Sequence, residues 1–260
     1  VSVQKGTGSC LNAGKTAFDQ ACPFFLATTG SWTLTVVDSQ LVDATTYNLK
    51  SRATDVAGNV QATPTDGSIL WDSTSPNQSF IINVGNPAET ANAAVNLVLT
   101  NSATIFEYRS GNNMACTSAT WVAYAGGNIP YTLPAIDGLK TVCLQVRDAV
   151  LNESPIHSDT ITLDTTAPNP AFLINAGAIH ANSTSVTLSL TDSTGVFEYR
   201  KANGSNCNAA TWTTYPVGTI AHTISGAEGT STVCLQVRDV LLNESSTATD
   251  TINLDLTQPS

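Results

Sequence analysis

Apolar and polar residues alternate along Val142-Cys143-Leu144-Gln145-Val146-Arg147-Asp148, and the run returns almost unchanged as Val233-Cys234-Leu235-Gln236-Val237-Arg238-Asp239. A period of two is that of a β-strand, whose successive side chains point to opposite faces of a sheet. The alternation predicts Val142, Leu144 and Val146 facing a core, with Cys143, Gln145 and Arg147 on the outer sheet surface. Each copy is followed by a polar hairpin and a second strand ending in a marker, Leu163-Asp164-Thr165-Thr166-Ala167-Pro168 in one unit and Ile252-Asn253-Leu254-Asp255 in the next. The chain is a tandem repeat with a period of about 91 residues.

Further strand-like runs precede each copy. In one unit they are Ser79-Phe80-Ile81-Ile82-Asn83, Ala94 to Leu99, Ile105-Phe106-Glu107-Tyr108-Arg109 and Trp121-Val122-Ala123-Tyr124. Phe106 and Tyr108 are expected inward, and Glu107 and Arg109 outward. Ala171 to Asn175, Ser185 to Leu190, Val196 to Arg200, Trp212 and Tyr215 follow in the same order in the next unit. Asp137-Gly138 marks a turn into the Val142 strand.

Alignment backward from Asp148 and Asp239 places Asp55 at the equivalent position, Trp32 with Trp121 and Trp212, and Asp72 with Asp164 and Asp255. Only 31 residues precede Trp32, so the first unit is expected to lack its two opening strands. Its first strand would be Val1-Ser2-Val3-Gln4, followed by a long loop carrying Cys10 and Cys22. The expected division is a partial unit over 1–72, complete units over 73–164 and 165–255, and the start of another over 256–260, with both ends reading as cuts in a longer array.

The pattern predicts an all-β chain of tandem immunoglobulin-like or fibronectin III-like sandwiches, seven strands to each complete unit. Composition agrees: charged residues are 12% of the 260, and no stretch has helical periodicity. A net charge of −10 with only 10 Lys and Arg leaves no surface suited to phosphates, which sets nucleic acid aside. No apolar run approaches the roughly 18 to 20 residues needed to cross a bilayer.

Six cysteines fall in three separated pairs, without Cys-x-x-Cys spacing. Disulfides are the economical reading, and they place the chain in an oxidising compartment. Equal intervals pair Cys116 with Cys143 and Cys207 with Cys234. Cys10 and Cys22 pair locally, because Lys50 stands where Cys143 does. Since Cys143 alternates with core residues, its bond is expected to be a surface staple. Glu107 and Arg147 could pair across strands.

Arg52-Ala53-Thr54-Asp55-Val56-Ala57-Gly58-Asn59 and the Asp164-Thr165-Thr166-Ala167-Pro168 boundary resemble the tandem bacterial immunoglobulin-like domains of large secreted adhesins and surface proteins. The resemblance covers the whole chain. Val150-Leu151-Asn152 and Leu241-Leu242-Asn243 depart from it where the family has Ala-Gly-Asn. It implies spacer modules that hold a terminal binding domain away from the cell, with calcium near some domain junctions. Sandwich topology brings Asp72 near Asp148, Asn152 and Asn101, and Asp164 near Asp239, Asn243 and Asp192. Oxygens from separate segments suit a hard cation that takes about six to eight of them. The alternative is that these residues form turns and cap strands.

No catalytic constellation recurs: His157, His180 and His222 occupy non-equivalent positions, and no Gly-x-Ser-x-Gly elbow is present. Three functions stay open. The first is an extracellular, cell-surface spacer whose partners are neighbouring repeats. The second is a module binding a host or cell-surface receptor or glycan. The third is a filament subunit completed by strands from its neighbour.

Overall fold

The computed structural model describes residues 1–23, 35–36, 38–85, 87–113 and 115–258. Trp32 and Pro259-Ser260 lie outside them. The chain is all-β, and its two complete sandwiches follow one plan.

The sandwich with the Val142 run contains β6 (Phe80–Ile82), β7 (Glu89–Thr90), β8 (Ala94–Leu99), β9 (Glu107–Asn112), β10 (Val122–Ala123), β11 (Ile129–Thr132), β12 (Gly138–Arg147) and β13 (His157–Leu163). One sheet has the order β11-β8-β6, the other β10-β9-β12-β13-β7. The seven-strand plan appears as eight segments because the first strand divides. Its first half, β6, pairs antiparallel with β8, and its second half, β7, crosses to run parallel to the last strand, β13. Phe80, Ile82, Val95, Leu97 and Ile129 from one sheet meet Val142, Leu144, Val146, Ile161 and Leu163 from the other, all nearly inaccessible. The inward period-two positions are thus the ones whose removal from water drives closure of the two layers.

The next sandwich repeats this with β14 (Phe172–Ile174), β15 (His180–Ala181), β16 (Ser185–Leu190), β17 (Glu198–Asn203), β18 (Thr213–Thr214), β19 (Thr219–Thr223), β20 (Gly229–Arg238) and β21 (Ala248–Leu254). Its sheets are β14-β16-β19 and β15-β21-β20-β17-β18. Val233, Leu235 and Val237 take the places of Val142, Leu144 and Val146 in a separate core.

In the first unit the described residues form one sheet, ordered β3-β2-β1-β4-β5, from β1 (Ser2–Lys5), β2 (Cys10–Leu11), β3 (Phe18–Gln20), β4 (Thr45–Ser51) and β5 (Thr65–Trp71). Val1, Val3, Leu11 and Tyr47 are its buried cluster. The segment expected as a loop between Cys10 and Cys22 carries β2 and β3, and Leu11 fills the core from it.

Two expectations need correction. Cys143 does lie opposite Leu144 and Val146, yet it is not at the surface: Cys116, Cys143, Cys207 and Cys234 are all 0% exposed. The segment around Cys116 folds over the outer face of β12, so five consecutive residues from Val142 to Val146 are buried. Phe106 is 49% exposed rather than inward. It lies one residue before β9, and Ile105 packs against the core there.

Candidate functional site

The hairpin after the central strand recurs in all three units with the same hydrogen-bonded Asp and Asn. Asp148 is 4% exposed, and its carboxylate accepts from Val150 N at 2.9 Å, Asn152 N at 2.9 Å and Asn152 Nδ2 at 2.9 Å. A buried carboxylate needs such donors to offset the water it has lost. Asp239 holds Asn243 through the same two groups at 2.9 and 2.8 Å, and Asp55 holds Asn59 at 2.8 and 2.8 Å. Hydrogen bonds from the Asn59 side chain and backbone hold the Asp55 carboxyl below its ordinary range.

This turn needs a left-handed residue just before the asparagine. Gly58 supplies it in the first unit with φ +90°, whereas Leu151 and Leu242 adopt φ 73° and 68°. The departure from Ala-Gly-Asn therefore changes the residue and keeps the backbone, at a cost that glycine does not bear.

The held asparagine reaches the linker before its own sandwich. Asn152 Nδ2 donates to the backbone carbonyl of Asp72 at 3.0 Å, and Asn243 Nδ2 to that of Asp164 at 2.9 Å. From the other side, an acid of the preceding unit grips the same linker. Asp137 Oδ1 accepts from Thr165 N at 3.0 Å and Thr165 Oγ1 at 2.8 Å, and its Oδ2 accepts from Thr166 Oγ1 at 2.6 Å. Asp43 accepts from Ser73 N at 2.6 Å and Ser73 Oγ at 3.0 Å, and closely from Thr74 Oγ1. Donation by Thr74 and Ser73 lowers the Asp43 carboxyl to about 2, and Thr166 and Thr165 lower that of Asp137. Glu228 plays this part after the last strand, with Oε1 accepting from Leu256 N at 2.9 Å and Thr257 Oγ1 at 2.8 Å.

Each junction is thus a short linker clamped from both sides. Of the residues expected there, Asp148, Asn152 and the Asp72 backbone come together, as do Asp239, Asn243 and the Asp164 backbone. The Asp72 and Asp164 carboxylates cap the linker, accepting from Thr74 N and Thr166 N at 3.1 Å each. Asn101 and Asp192 accept from Ala103 N and Thr194 N of their own loops, at 3.0 and 2.9 Å. Among the described residues no group of three or more His, Cys, Asp or Glu side chains gathers as a metal site would. Reading the sequence missed Asp43, Asp137 and Glu228. Their signal was an acid 28 to 31 positions before a Ser-Thr, Thr-Thr or Leu-Thr pair.

No family model matches this sequence, and no curated protein matches it. Solved structures similar to it include the FN1–FN3 domains of chicken CNTN1, at 12% identity and a TM-score of 0.38 over 82% of this chain and 78% of that one. The fibronectin(III)-like modules of Clostridium thermocellum CbhA match at 13% identity and a TM-score of 0.37, over 67% of this chain and 94% of theirs.

A second recurring cluster covers the outer face of each complete sandwich. The guanidinium groups of Arg109 and Arg147 both lie over the Trp121 ring, at 4.5 and 4.3 Å from its centroid. Arg200 and Arg238 lie likewise over the Trp212 ring, at 4.6 and 4.4 Å. Arg147 pairs with its cross-strand neighbour Glu107 at 2.5 Å, and Arg109 donates to Gln145 Oε1 at 2.9 and 2.6 Å. Cys116–Cys143 and Cys207–Cys234 anchor the segments leading to these tryptophans, and Cys10–Cys22 closes the first unit. With every charge matched by a neighbour, the cluster works as packing that locks a segment over β12.

His157, His180 and His222 lie on β13, β15 and β19. His222 alone is buried, with Nδ1 3.3 Å from Lys201 Nζ and Nε2 3.0 Å from Asn203 Oδ1.

Proposed function

We propose that the chain is a structural spacer, a stalk segment of a bacterial extracellular adhesin or cell-surface fibre, whose partners are neighbouring sandwiches. On this reading the units run over 1–72, 73–164 and 165–255, and they carry no catalytic activity. The observation that carries it is the repetition of one clamp at both junctions: Asn152 on the Asp72 carbonyl, Asn243 on the Asp164 carbonyl, with Asp43 and Asp137 behind them. A free linker would let sandwiches swing independently, whereas clamps at successive carbonyls fix their relative angle, which a spacer requires. Three disulfides support residence in an oxidising, extracellular setting.

Small-angle scattering on the chain tests this directly. The expected result is a maximum dimension fitted by one arrangement of the sandwiches, and a broadened distribution for the Asn152→Ala/Asn243→Ala double variant. A parent chain that already needs a wide ensemble of angles would overturn the reading.

Calcium at the same seams is a separate proposal, carried by the resemblance; the Asn152 amide, which donates to both Asp148 and the Asp72 carbonyl, would have to give way to the ion. Calorimetry with calcium and then chelator tests it, and an unchanged melting temperature counts against it.

A further inference from the structure

Each complete sandwich receives the chain at one end of its long central strand and releases it at the other. The Asp72 linker touches the hairpin after β12, while β13 ends beside the start of β12, where Leu163 pairs with Gly138. Tension applied along the chain therefore runs the length of the sandwich.

What ties the incoming strand to the outgoing one is small and specific. The Asp159 side chain on β13 reaches across to the other sheet, where its Oδ2 accepts from the backbone N–H of Ile82 on β6 at 2.8 Å. β13 also pairs directly with the β7 segment, and the backbone bonds at the two ends of that pairing are Thr162 N to Ala88 O at 2.9 Å and Asp164 N to Thr90 O at 3.0 Å. Because β7 and β13 are parallel, pulling the ends apart slides them past each other, so the bonds share the load. The next unit has the same set: Asp250 Oδ2 on Ile174 N at 2.8 Å, with Asn253 N on Ile179 O and Asp255 N on Ala181 O at 3.0 and 2.9 Å.

A second device limits what happens once these ties open. Cys116 and Cys143 lie 27 positions apart and enclose β10, β11 and the first half of β12, as Cys207 and Cys234 do 27 positions apart in the next unit. The covalent path under tension crosses the sulfur bridge, so the enclosed segment cannot lengthen.

We propose that each complete sandwich is a tension-bearing element, latched by its first-to-last-strand ties through Asp159 and Asp250, with its extension after release capped by its disulfide. The proposal rests on the spacer reading, since only a chain anchored at both ends carries load.

Force-clamp measurements on the full chain, tethered at its two ends, test both halves. Under oxidising conditions two similar unfolding steps are expected from the complete sandwiches. Reduction should lengthen each by about 90 Å, the reach of 27 freed residues. Asp159→Ala should raise the unfolding rate of one of the two steps at fixed force by roughly tenfold or more, as loss of a charge-assisted hydrogen bond implies. The other step serves as control within the same molecule. Asp159→Asn, which keeps an acceptor oxygen, should restore much of the parental rate. Steps that reductant leaves unchanged would overturn the cap, and an unaltered rate in Asp159→Ala would overturn the latch. The reduction arm needs no variant to fold, and scattering that still fits a single arrangement would leave the spacer reading standing if the latch fails.

Discussion

The side-chain amide of Asn152 lies 3.0 Å from the backbone carbonyl of Asp72, eighty positions earlier in the chain. The same amide donates to the Asp148 carboxylate at 2.9 Å, so one side chain fastens a buried acid of its own hairpin to the linker from the preceding unit. Replacing Asn152 with alanine removes both bonds but leaves the backbone bond from residue 152 to Asp148. The sandwich should lose about 1.5 to 3 kcal/mol, the range for a hydrogen bond to a buried charged group. A second effect belongs at the joint, where nuclear-spin relaxation should show the flanking units tumbling with greater independence. Equal tumbling in parent and variant would remove the asparagine from the joint's workings.

Leu151 and Leu242 sit where Gly58 sits in the first unit, at φ 73° and 68°. Both are 54% exposed, so little packing would be lost by truncation. Relief of left-handed strain, about 1 to 2 kcal/mol, exceeds glycine's added freedom in the unfolded chain, about 0.5 to 1 kcal/mol. Leu151→Gly should therefore raise stability to denaturant by about 0.5 to 1 kcal/mol. A fall in midpoint would show that the leucine side chain makes contacts that outweigh its strain.

Trp121 receives two guanidinium groups, those of Arg109 and Arg147, over its ring at 4.5 and 4.3 Å from the centroid. Trp121→Ala loses two cation–π contacts and the cover over the segment, at a cost of about 2 to 4 kcal/mol. Trp121→Phe keeps a ring face and should recover about half. Chemical denaturation checks the order parent, Phe variant, Ala variant; an Ala variant as stable as the parent would make the stack ornamental.

The repeat, its strands and the meeting of Asn152 with Asp72 were legible in the sequence for one physical reason. A period-two pattern identifies strands, and antiparallel connection then dictates which loops share an end. The same pattern tells which side of a strand a residue takes and not what lies over that side. Cys143 and Gln145 were therefore assigned correctly to the face opposite Leu144 and wrongly to solvent. Two-residue strands such as Glu89–Thr90 and His180–Ala181 are too short for periodicity to register. Asp43, Asp137 and Glu228 escaped notice because an acid in a turn looks the same whether or not a linker threonine returns to it.

His222 and Tyr131 occupy equivalent places on β19 and β11, each facing an asparagine of the opposite sheet. Tyr131 Oη donates to Asn112 Oδ1 at 2.8 Å, while His222 Nε2 lies 3.0 Å from Asn203 Oδ1, with Lys201 Nζ at 3.3 Å from its other nitrogen. Burial, with a smaller contribution from the Lys201 charge, lowers the imidazole to about 4. In the unfolded chain it titrates near 6.5. Between those values the unfolded state takes up a proton that the folded state refuses, so stability falls as pH drops from about 6.5 to about 4 and levels off below. The loss should be on the order of 2 to 3 kcal/mol and confined to the sandwich built on β20. Thermal unfolding at pH 7 and pH 4 on the parent and on His222→Tyr checks this. In the variant, that sandwich should lose no more stability on acidification than the one carrying Tyr131, and an equal acid sensitivity in parent and variant would assign the effect to other groups.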